Sequence, residues 1–371
     1  MAAGAFYGGP VERAVFDLRE LYESYGYEKY RMSKFEEYDL YLEYKSFLPS
    51  QHIITFTDLS GRLMALKPDV TLSIAKNIPD LPKAPVKVYY NENVYRSPLG
   101  SGEFREIAQV GLECLGDVDL YSQCEVVSLA YESLKRLGGG YVITLSHMGF
   151  VSGLLEVCGL GPAGQERALK LIEQKNAHEL QRLCLSSGVP EERQQALLHL
   201  TSLYGGFDEA LERAEKLVCC DKMERAVRQL SDIRRVLPEE TAEKSFCLDF
   251  SVVNDLSYYD SLIFQGFIEG VPRAIISGGC YDRLMERLGK KASAIGFAVY
   301  VNELERLNAQ ESGKTADVLL ISGDIPEETV MKAASDLRRA GKSVRVEKAL
   351  TDRARGAKVM TIKDGRLEEL G

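Results

Sequence analysis

The sequence lacks any apolar run long enough to span a bilayer, and its first ten residues contain no basic segment followed by an apolar stretch. We therefore expect neither a membrane helix nor a signal peptide, and we expect a cytoplasmic protein. With 45% hydrophobic and 27% charged residues, the composition is typical of a globular protein. A length of 371 residues allows a sizeable core and two or three domains.

The cysteines and histidines form no pattern typical of a metal site or a disulfide framework. The chain has eight cysteines without a Cys-x-x-Cys pair, and its four histidines lie far apart in the sequence. Zinc sites use closely spaced ligand pairs, and disulfide-rich domains belong to secreted proteins. We expect reduced thiols, no metal site and no cofactor.

The charge balance weighs only mildly against a nucleic-acid partner. The formal net charge is -9 at pH 7, so no overall field attracts the chain to phosphates. A local basic face can still bind RNA in an acidic protein.

The first part of the chain alternates between helical and strand periodicity. The patterns predict, in chain order, a helix at 10–25, two strands within 52–66, a helix at 69–78, paired strands at 87–96 and 105–115, and a helix at 120–137. The glycine-containing loop 97–103 is not followed by Gly-Lys-Ser/Thr, so we interpret it as a hairpin tip rather than a phosphate cradle.

Residues from about 150 to 243 are rich in Glu, Gln, Arg, Leu and Ala, which predicts a helical insertion. Further elements are predicted as strands at 245–253, 261–269 and 273–277, a helix at 281–288, a linker at 308–315, a strand at 317–322, a helix at 327–340, and strands at 343–347 and 358–362. Antiparallel strands with helices before, between and after them predict an α+β core. We assign this core to residues 1–308 and a small α/β domain to residues 315–371.

Four segments carry most of the functional information. They are Lys67-Pro-Asp69-Val-Thr71, then Tyr95-Arg96 with Arg105-Glu-Ile-Ala-Gln109-Val-Gly111-Leu-Glu113, then Asn254-Asp-Leu-Ser-Tyr258-Tyr259, and finally Gly278-Gly-Cys-Tyr281-Asp282 with Gly296-Phe-Ala-Val-Tyr300-Val-Asn-Glu303. In this order they resemble the active-site motifs of class II aminoacyl-tRNA synthetases of the histidyl type. The resemblance covers roughly residues 8 to 306. It implies an antiparallel sheet flanked by helices, followed by a shortened relative of the anticodon-binding domain.

The polar groups of free histidine need hydrogen-bond partners. A carboxylate suits its ammonium group, a guanidinium suits its carboxylate, and a carboxylate, an amide and phenols suit its ring. The resemblance implies a histidine-binding set made of Asp69, Thr71 and Gln109 at the ammonium end, Glu113, Tyr258 and Tyr281 at the ring, Tyr259 as a wall, and Arg96 on the carboxylate side. The alternative is that the tyrosines are core aromatics and that Glu113 is a solvated strand residue.

The same motifs lack two arginines that adenylation in this family uses, because Asn254 and Glu303 stand in their places. Loss of one oriented donor typically lowers the rate by about 10²–10³, so two losses multiply to about 10⁴–10⁶. Pro98 also stands where the family has a hairpin acid. A slip of three residues would place Arg306 under the last motif and could restore one arginine.

A chain whose pocket lacks these arginines and whose tail is reduced is similar to the regulatory subunits of ATP phosphoribosyltransferase. These subunits act in the first step of histidine biosynthesis. The resemblance implies a non-catalytic chain with no tRNA ligand and no membrane. Its implied partners are the short-form catalytic subunit, further copies of itself as a dimer within a hetero-octamer, and L-histidine as effector. The alternatives are a divergent histidyl-tRNA synthetase, or a synthetase-like protein that binds another amino acid or an RNA.

Overall fold

The computed structural model describes residues 10–43, 53–79, 84–97, 103–237, 244–253, 259–304, 316–350, 358–363 and 366–370. The chain forms two compact units, Met1–Glu305 and Arg306–Gly371. No helix among these residues is long and apolar enough to cross a membrane.

The strands of the first unit form a large sheet and a small one. In chain order they are β1 (Glu28–Lys29), β2 (Phe35–Glu37), β3 (Thr55–Thr57), β4 (Leu63–Leu66), β5 (Val86–Arg96), β6 (Arg105–Gly116), β7 (Tyr141–His147), β8 (Tyr204–Gly206), β9 (Phe246–Asp249), β10 (Leu262–Ile268), β11 (Ile276–Cys280) and β12 (Ser293–Tyr300). The nine-stranded sheet has the order β1-β5-β6-β12-β11-β10-β7-β9-β8, and β2-β4-β3 form the second sheet.

The central part of the large sheet, from β5 to β7, is antiparallel throughout. The helices of this unit are α1 (Pro10–Ser24), α2 (Tyr38–Glu43), α3 (Val70–Asn77), α4 (Leu120–Leu137), α5 (Met148–Val157), α6 (Pro162–Glu173), α7 (Ala177–Ser186), α8 (Glu191–Leu200), α9 (Phe207–Glu215), α10 (Asp221–Val236) and α11 (Asp282–Arg287). A 3-10 turn, Val301–Leu304, follows β12. The fold is the predicted α+β architecture, in which helices flank an antiparallel sheet.

Different helices cover the two faces of the large sheet. On one face, the Tyr22 ring of α1 packs edge-on against Phe297 of β12 at 6.0 Å between ring centroids. On the other face, α3 packs into a core cluster with Val88 and Tyr90 of β5 and with Leu115 of β6. The candidate site lies on the face that carries α3.

Local sequence accounts for where these helices begin and end. Asp69 and Asp119 accept hydrogen bonds from backbone N–H groups in the first turns of α3 and α4. Gly26, the second residue after α1, has φ of +80°, a conformation that glycine adopts without a Cβ penalty. The predicted helices at 10–25, 69–78 and 120–137 are therefore confirmed.

The predicted paired strands at 87–96 and 105–115 are confirmed as β5 and β6. The predicted strand at 273–277 is shifted, because β11 runs from Ile276 to Cys280. Strands β1, β2, β7, β8 and β12 and the short helix α2 were not predicted. The β8 sequence, Tyr-Gly-Gly, has no alternating apolar pattern, and backbone pairing with β9 alone marks it as a strand. The described part of the predicted helical region, residues 150–237, is otherwise helical, as expected.

The second unit has a four-stranded sheet with one helix. Its elements are β13 (Val318–Ile321), α12 (Glu327–Arg339), β14 (Val344–Glu347), β15 (Lys358–Lys363) and β16 (Arg366–Glu369), in the sheet order β14-β13-β15-β16. Leu320, Val330, Ala334 and Ile362 form its core. The sequence patterns predicted each element except β16, and the predicted linker at 308–315 lies outside the described residues.

Candidate functional site

Cross-strand register places a polar row on the face of the sheet that carries α3. Gln109, Gly111 and Glu113 alternate along β6 and therefore point to one face. Their partners on β12 are Tyr300, Ala298 and Gly296 respectively. The site is thus built on paired strands rather than on a loop, which fixes the spacing of its groups.

Glycines leave the space that Glu113 occupies. Gly296 lies directly opposite Glu113, and Gly279 of β11 is the next residue across the sheet. A Cβ on Gly296 would lie 1.7 Å from Glu113 Oε2, and a Cβ on Gly279 would lie 2.9 Å from a ring carbon of Tyr259. These positions accept no side chain because the carboxylate and the ring already fill the space.

Glu113 is a buried carboxyl group with two hydroxyl donors. Its side chain accepts hydrogen bonds from Thr71 Oγ1 at 2.7 Å and from Tyr281 Oη at 2.6 Å, and the residue is 1% exposed. Burial raises the pKa of Glu113 to about 8, although both hydroxyl bonds act in the opposite direction. A cation or an N–H donor placed beside this group would favour its ionised form.

Asp69 and Arg96 form the second charged part of the site. Arg96 Nη2 lies 3.0 Å from Asp69 Oδ2, and Arg96 Nε donates to the Pro68 carbonyl at 2.6 Å. Asp69 Oδ1 accepts from the backbone N–H of Leu72 at 2.8 Å, so the same carboxylate caps α3. Burial raises the pKa of Asp69, and the neighbouring Arg96 charge opposes that shift. The Arg96 side chain is 35% exposed, which leaves its remaining N–H groups accessible to an anion.

Three tyrosines surround these charges as neutral phenols. Burial raises the pKa values of Tyr90 and Tyr259 well above the ordinary range, and it also raises the pKa of Tyr300. The Tyr90 hydroxyl covers Gly111, where a Cβ would lie 2.4 Å from it. Tyr300 pairs with Gln109, which is 4% exposed.

The structure brings together seven of the eight residues that the motifs predicted, namely Asp69, Thr71, Arg96, Gln109, Glu113, Tyr259 and Tyr281. The eighth, Tyr258, lies outside the described residues, as do Asn254, Pro98 and Arg306. Thr71 was predicted at the end of the pocket that holds the ammonium group. Its hydroxyl donates instead to Glu113, which was predicted at the ring end, so this hydrogen bond joins the two ends.

Sequence reasoning missed Tyr90 and Tyr300. Alternation with Arg96 along the predicted strand β5 could have identified Tyr90, because side chains two positions apart share a face. Tyr300 could not have been identified in this way, because its place opposite Gln109 depends on the pairing of β12 with β6. Among the residues that the structure describes, no group of three His, Cys, Asp or Glu side chains could hold a metal ion. The arrangement is suited to a small polar molecule that carries both a cationic and an anionic group.

Comparison with known proteins gives the family. The histidyl-tRNA synthetase family profile matches residues 10–304. An ATP phosphoribosyltransferase regulatory subunit from Caldanaerobacter subterraneus subsp. tengcongensis is 30% identical over 336 residues, which cover 88% of this chain and 87% of that protein. The chain belongs to the family of ATP phosphoribosyltransferase regulatory subunits.

Solved structures confirm the predicted class II synthetase-like fold. A Bacillus halodurans protein, described as an ATP phosphoribosyltransferase regulatory subunit/histidyl-tRNA synthetase, is 26% identical with a TM-score of 0.76, covering 92% of this chain and 90% of that chain. A chain of the ATP phosphoribosyltransferase complex from Thermotoga maritima is 18% identical with a TM-score of 0.62, covering 78% of this chain and 96% of its own. The second likeness concerns the fold alone.

Gly296→Ala tests the packing around Glu113 in this regulatory subunit. The added Cβ would overlap Glu113 Oε2 and would lie 2.5 Å from the Leu112 carbonyl, so both the side chain and the strand must shift. We expect a loss of about 1–3 kcal/mol in the free energy of unfolding, measured by urea denaturation. Gly164→Ala is the control, since its Cβ would meet Leu160 at an ordinary 3.5 Å. Equal stability of the two variants would contradict the packing account.

The pKa of Glu113 predicts a pH dependence of stability. Because this pKa is about 8 in the folded chain and 4.5 ordinarily, the folded state binds more protons between these values. Its contribution to stability is therefore complete below about pH 4.5 and is lost as the pH rises through 8. We expect wild-type stability, relative to Glu113→Gln, to fall by up to about 1.4 kcal/mol per pH unit in this range. If the difference in the free energy of unfolding between wild type and Glu113→Gln is the same at pH 5.5 and at pH 7.5, the raised pKa of Glu113 is rejected.

Proposed function

We propose that this regulatory subunit senses L-histidine in the Glu113 pocket, activates a short-form ATP phosphoribosyltransferase catalytic subunit, and mediates its feedback inhibition by histidine. The observation that carries the proposal is the pairing of a buried carboxyl group, Glu113, with a separate Asp69–Arg96 pair on the same face of one sheet. We include in the proposal a cytoplasmic location and self-association as a dimer within a hetero-octamer.

The polar groups of the site match those of free histidine. The Arg96 guanidinium can pair with the α-carboxylate, and Asp69 can accept from the α-ammonium. At the other end, Glu113 can accept from an imidazole N–H, and the Tyr281 hydroxyl already bonded to it can turn to accept or donate. A ring N–H beside Glu113 would favour the carboxylate form and relieve the cost of its burial. The expected role of Tyr258 as a third ring contact is part of the same proposal.

The site is poorly suited to activating histidine with ATP. Attack of the carboxylate on a phosphate builds negative charge that needs oriented cations. Glu303 lies in the turn Val301–Leu304 after β12, and the motif resemblance aligns it with an arginine of the related synthetases. Arg96 is retained but is bonded to Asp69 and to the Pro68 carbonyl. These features support a binding role without chemistry.

Binding alone is sufficient for feedback control. The Thermotoga maritima relative of this fold belongs to an ATP phosphoribosyltransferase complex, which supports a catalytic partner for this chain. Histidine bound here would inhibit that partner only if it binds one state of the assembly better than another. A difference of about 1–3 kcal/mol is typical of such coupling.

The test uses Asp69→Asn and Glu113→Gln in the complex reconstituted with its catalytic subunit. Asparagine is preferred to alanine at position 69 because it keeps the cap of α3 and removes only the charge. We expect histidine affinity to fall about tenfold or more in each variant, since a hydrogen bond to a charged group is lost. Isothermal titration and the histidine concentration for half-inhibition are the measurements.

The matched control is Glu166→Gln, which removes an exposed carboxylate that pairs with Lys170 on α6. Each variant's inhibition is expressed relative to its own activity without histidine. Unchanged inhibition in both Asp69→Asn and Glu113→Gln would reject the pocket as the histidine site. A stronger thermal shift with another amino acid than with histidine would reject histidine as the ligand.

A further inference from the structure

A second cavity lies apart from the Glu113 pocket, between α4, α10 and the ends of β11 and β12. Its volume is about 410 Å³, within the range of small-molecule sites. Cys280 lines the cavity and pairs with Ile295 of β12. Ile295 and Phe297 are two positions apart and share a face of the sheet. Phe297 packs against α1, on the face opposite to that of Glu113. The cavity and the Glu113 pocket therefore lie on opposite faces of the sheet.

One face of α10 supplies a polar wall to this cavity. Arg225, Arg228, Gln229 and Asp232 follow the spacing i, i+3, i+4 and i+7, so they form one stripe along the helix. A separate apolar stripe of the same helix, which includes Leu230, is buried in the core. The wall thus contains two cations, an amide and a carboxylate. Arg228 Nη2 also pairs with Glu224 Oε1 at 2.9 Å, an exposed pair of a kind that contributes little to stability and that a bound phosphate can replace.

A hydrogen-bond chain orients the amides of the cavity. The backbone N–H of Gly149 donates to His147 Nδ1, so His147 Nε2 carries the proton and donates to Gln229 Oε1 at 2.8 Å. Burial lowers the pKa of His147 to about 4, which keeps the ring neutral. Gln229 Nε2 then donates to Gln123 Oε1 at 2.8 Å. In the described part of the chain, this leaves the side-chain N–H groups of Gln123 without a protein acceptor.

Carboxylates on two sides of the cavity each keep one oxygen for a ligand. Asp282 Oδ1 accepts from the backbone N–H of Ala294 at 2.8 Å, and Asp232 Oδ1 accepts from Arg235 at 2.8 Å. Their second oxygens have no hydrogen-bond donor among the residues the structure describes. The cavity thus combines amide donors with carboxylate acceptors, and hydroxyl groups satisfy both because each one donates and accepts.

We propose that this cavity binds a small phosphorylated polyol, with the phosphate on Arg225 and Arg228. Two guanidinium groups on successive turns match the charge and the several acceptor oxygens of a phosphate better than those of a single carboxylate. The hydroxyl groups bind Gln123, Asp232 and Asp282. The proposal is independent of histidine sensing, because it uses none of the residues of the Glu113 pocket.

The test is isothermal titration of the full chain with ribose 5-phosphate, glycerol 3-phosphate, inorganic phosphate and ribose. We expect the two phosphorylated polyols to bind, inorganic phosphate to bind at least about tenfold more weakly, and ribose to show no binding. Arg225→Ala/Arg228→Ala should weaken binding of ribose 5-phosphate by about tenfold to a hundredfold per lost arginine contact. Asp232→Asn should weaken it several-fold.

The matched control is Arg167→Ala/Arg182→Ala, which removes the same charge from exposed positions on α6 and α7 and should leave binding unchanged. Equal weakening in both double variants would mean that only net charge matters and would overturn the site. Absence of binding by either phosphorylated polyol at millimolar concentration would overturn it as well. Inorganic phosphate binding as tightly as ribose 5-phosphate would overturn the polyol assignment. If the double variant fails to fold, Arg225→Gln and Arg228→Gln are measured singly, with the same expectation of weaker binding.

Discussion

The buried carboxyl group of Glu113 is the constraint on which the rest of the site depends. A carboxyl group at 1% exposure must have hydrogen-bond donors, and α3 and the segment after β11 supply them through Thr71 and Tyr281. Its volume in turn requires that the neighbouring position of β12 be glycine, as it is at Gly296. One side chain therefore fixes the packing of a helix and of three adjacent strands.

The same geometry separates recognition from chemistry. Recognition needs oriented hydrogen bonds and complementary charges. Strands provide them because they hold the side chains of a site in fixed positions. Transfer to a phosphate needs additional cations at the point where charge develops, and the motifs predict Glu303 at the position of one of them. A pocket of this kind suits a regulatory subunit, in which binding one state of an assembly better than another is the whole requirement.

Much of the first unit could be predicted from the sequence because its helices are capped and periodic and its motifs follow one another in a fixed order. Asp69 illustrates this, since it was predicted both at the start of a helix and in the site. The β8 strand could not be predicted, because pairing with β9 and not its own residues makes it a strand. The Thr71–Glu113 bond was also beyond the sequence, as it joins residues whose contact depends on how α3 packs on β6. The cavity beside α10 is a further example, since the packing of α4 against α10 brings its lining residues together.

The most direct test of a pocket that binds histidine without activating it is histidine-dependent exchange of pyrophosphate into ATP by the purified chain. An authentic histidyl-tRNA synthetase serves as the positive control, and calorimetric titration on the same preparation establishes that histidine binds. The account predicts histidine binding with exchange no faster than in the absence of protein. Sustained exchange that requires both histidine and this chain would contradict it.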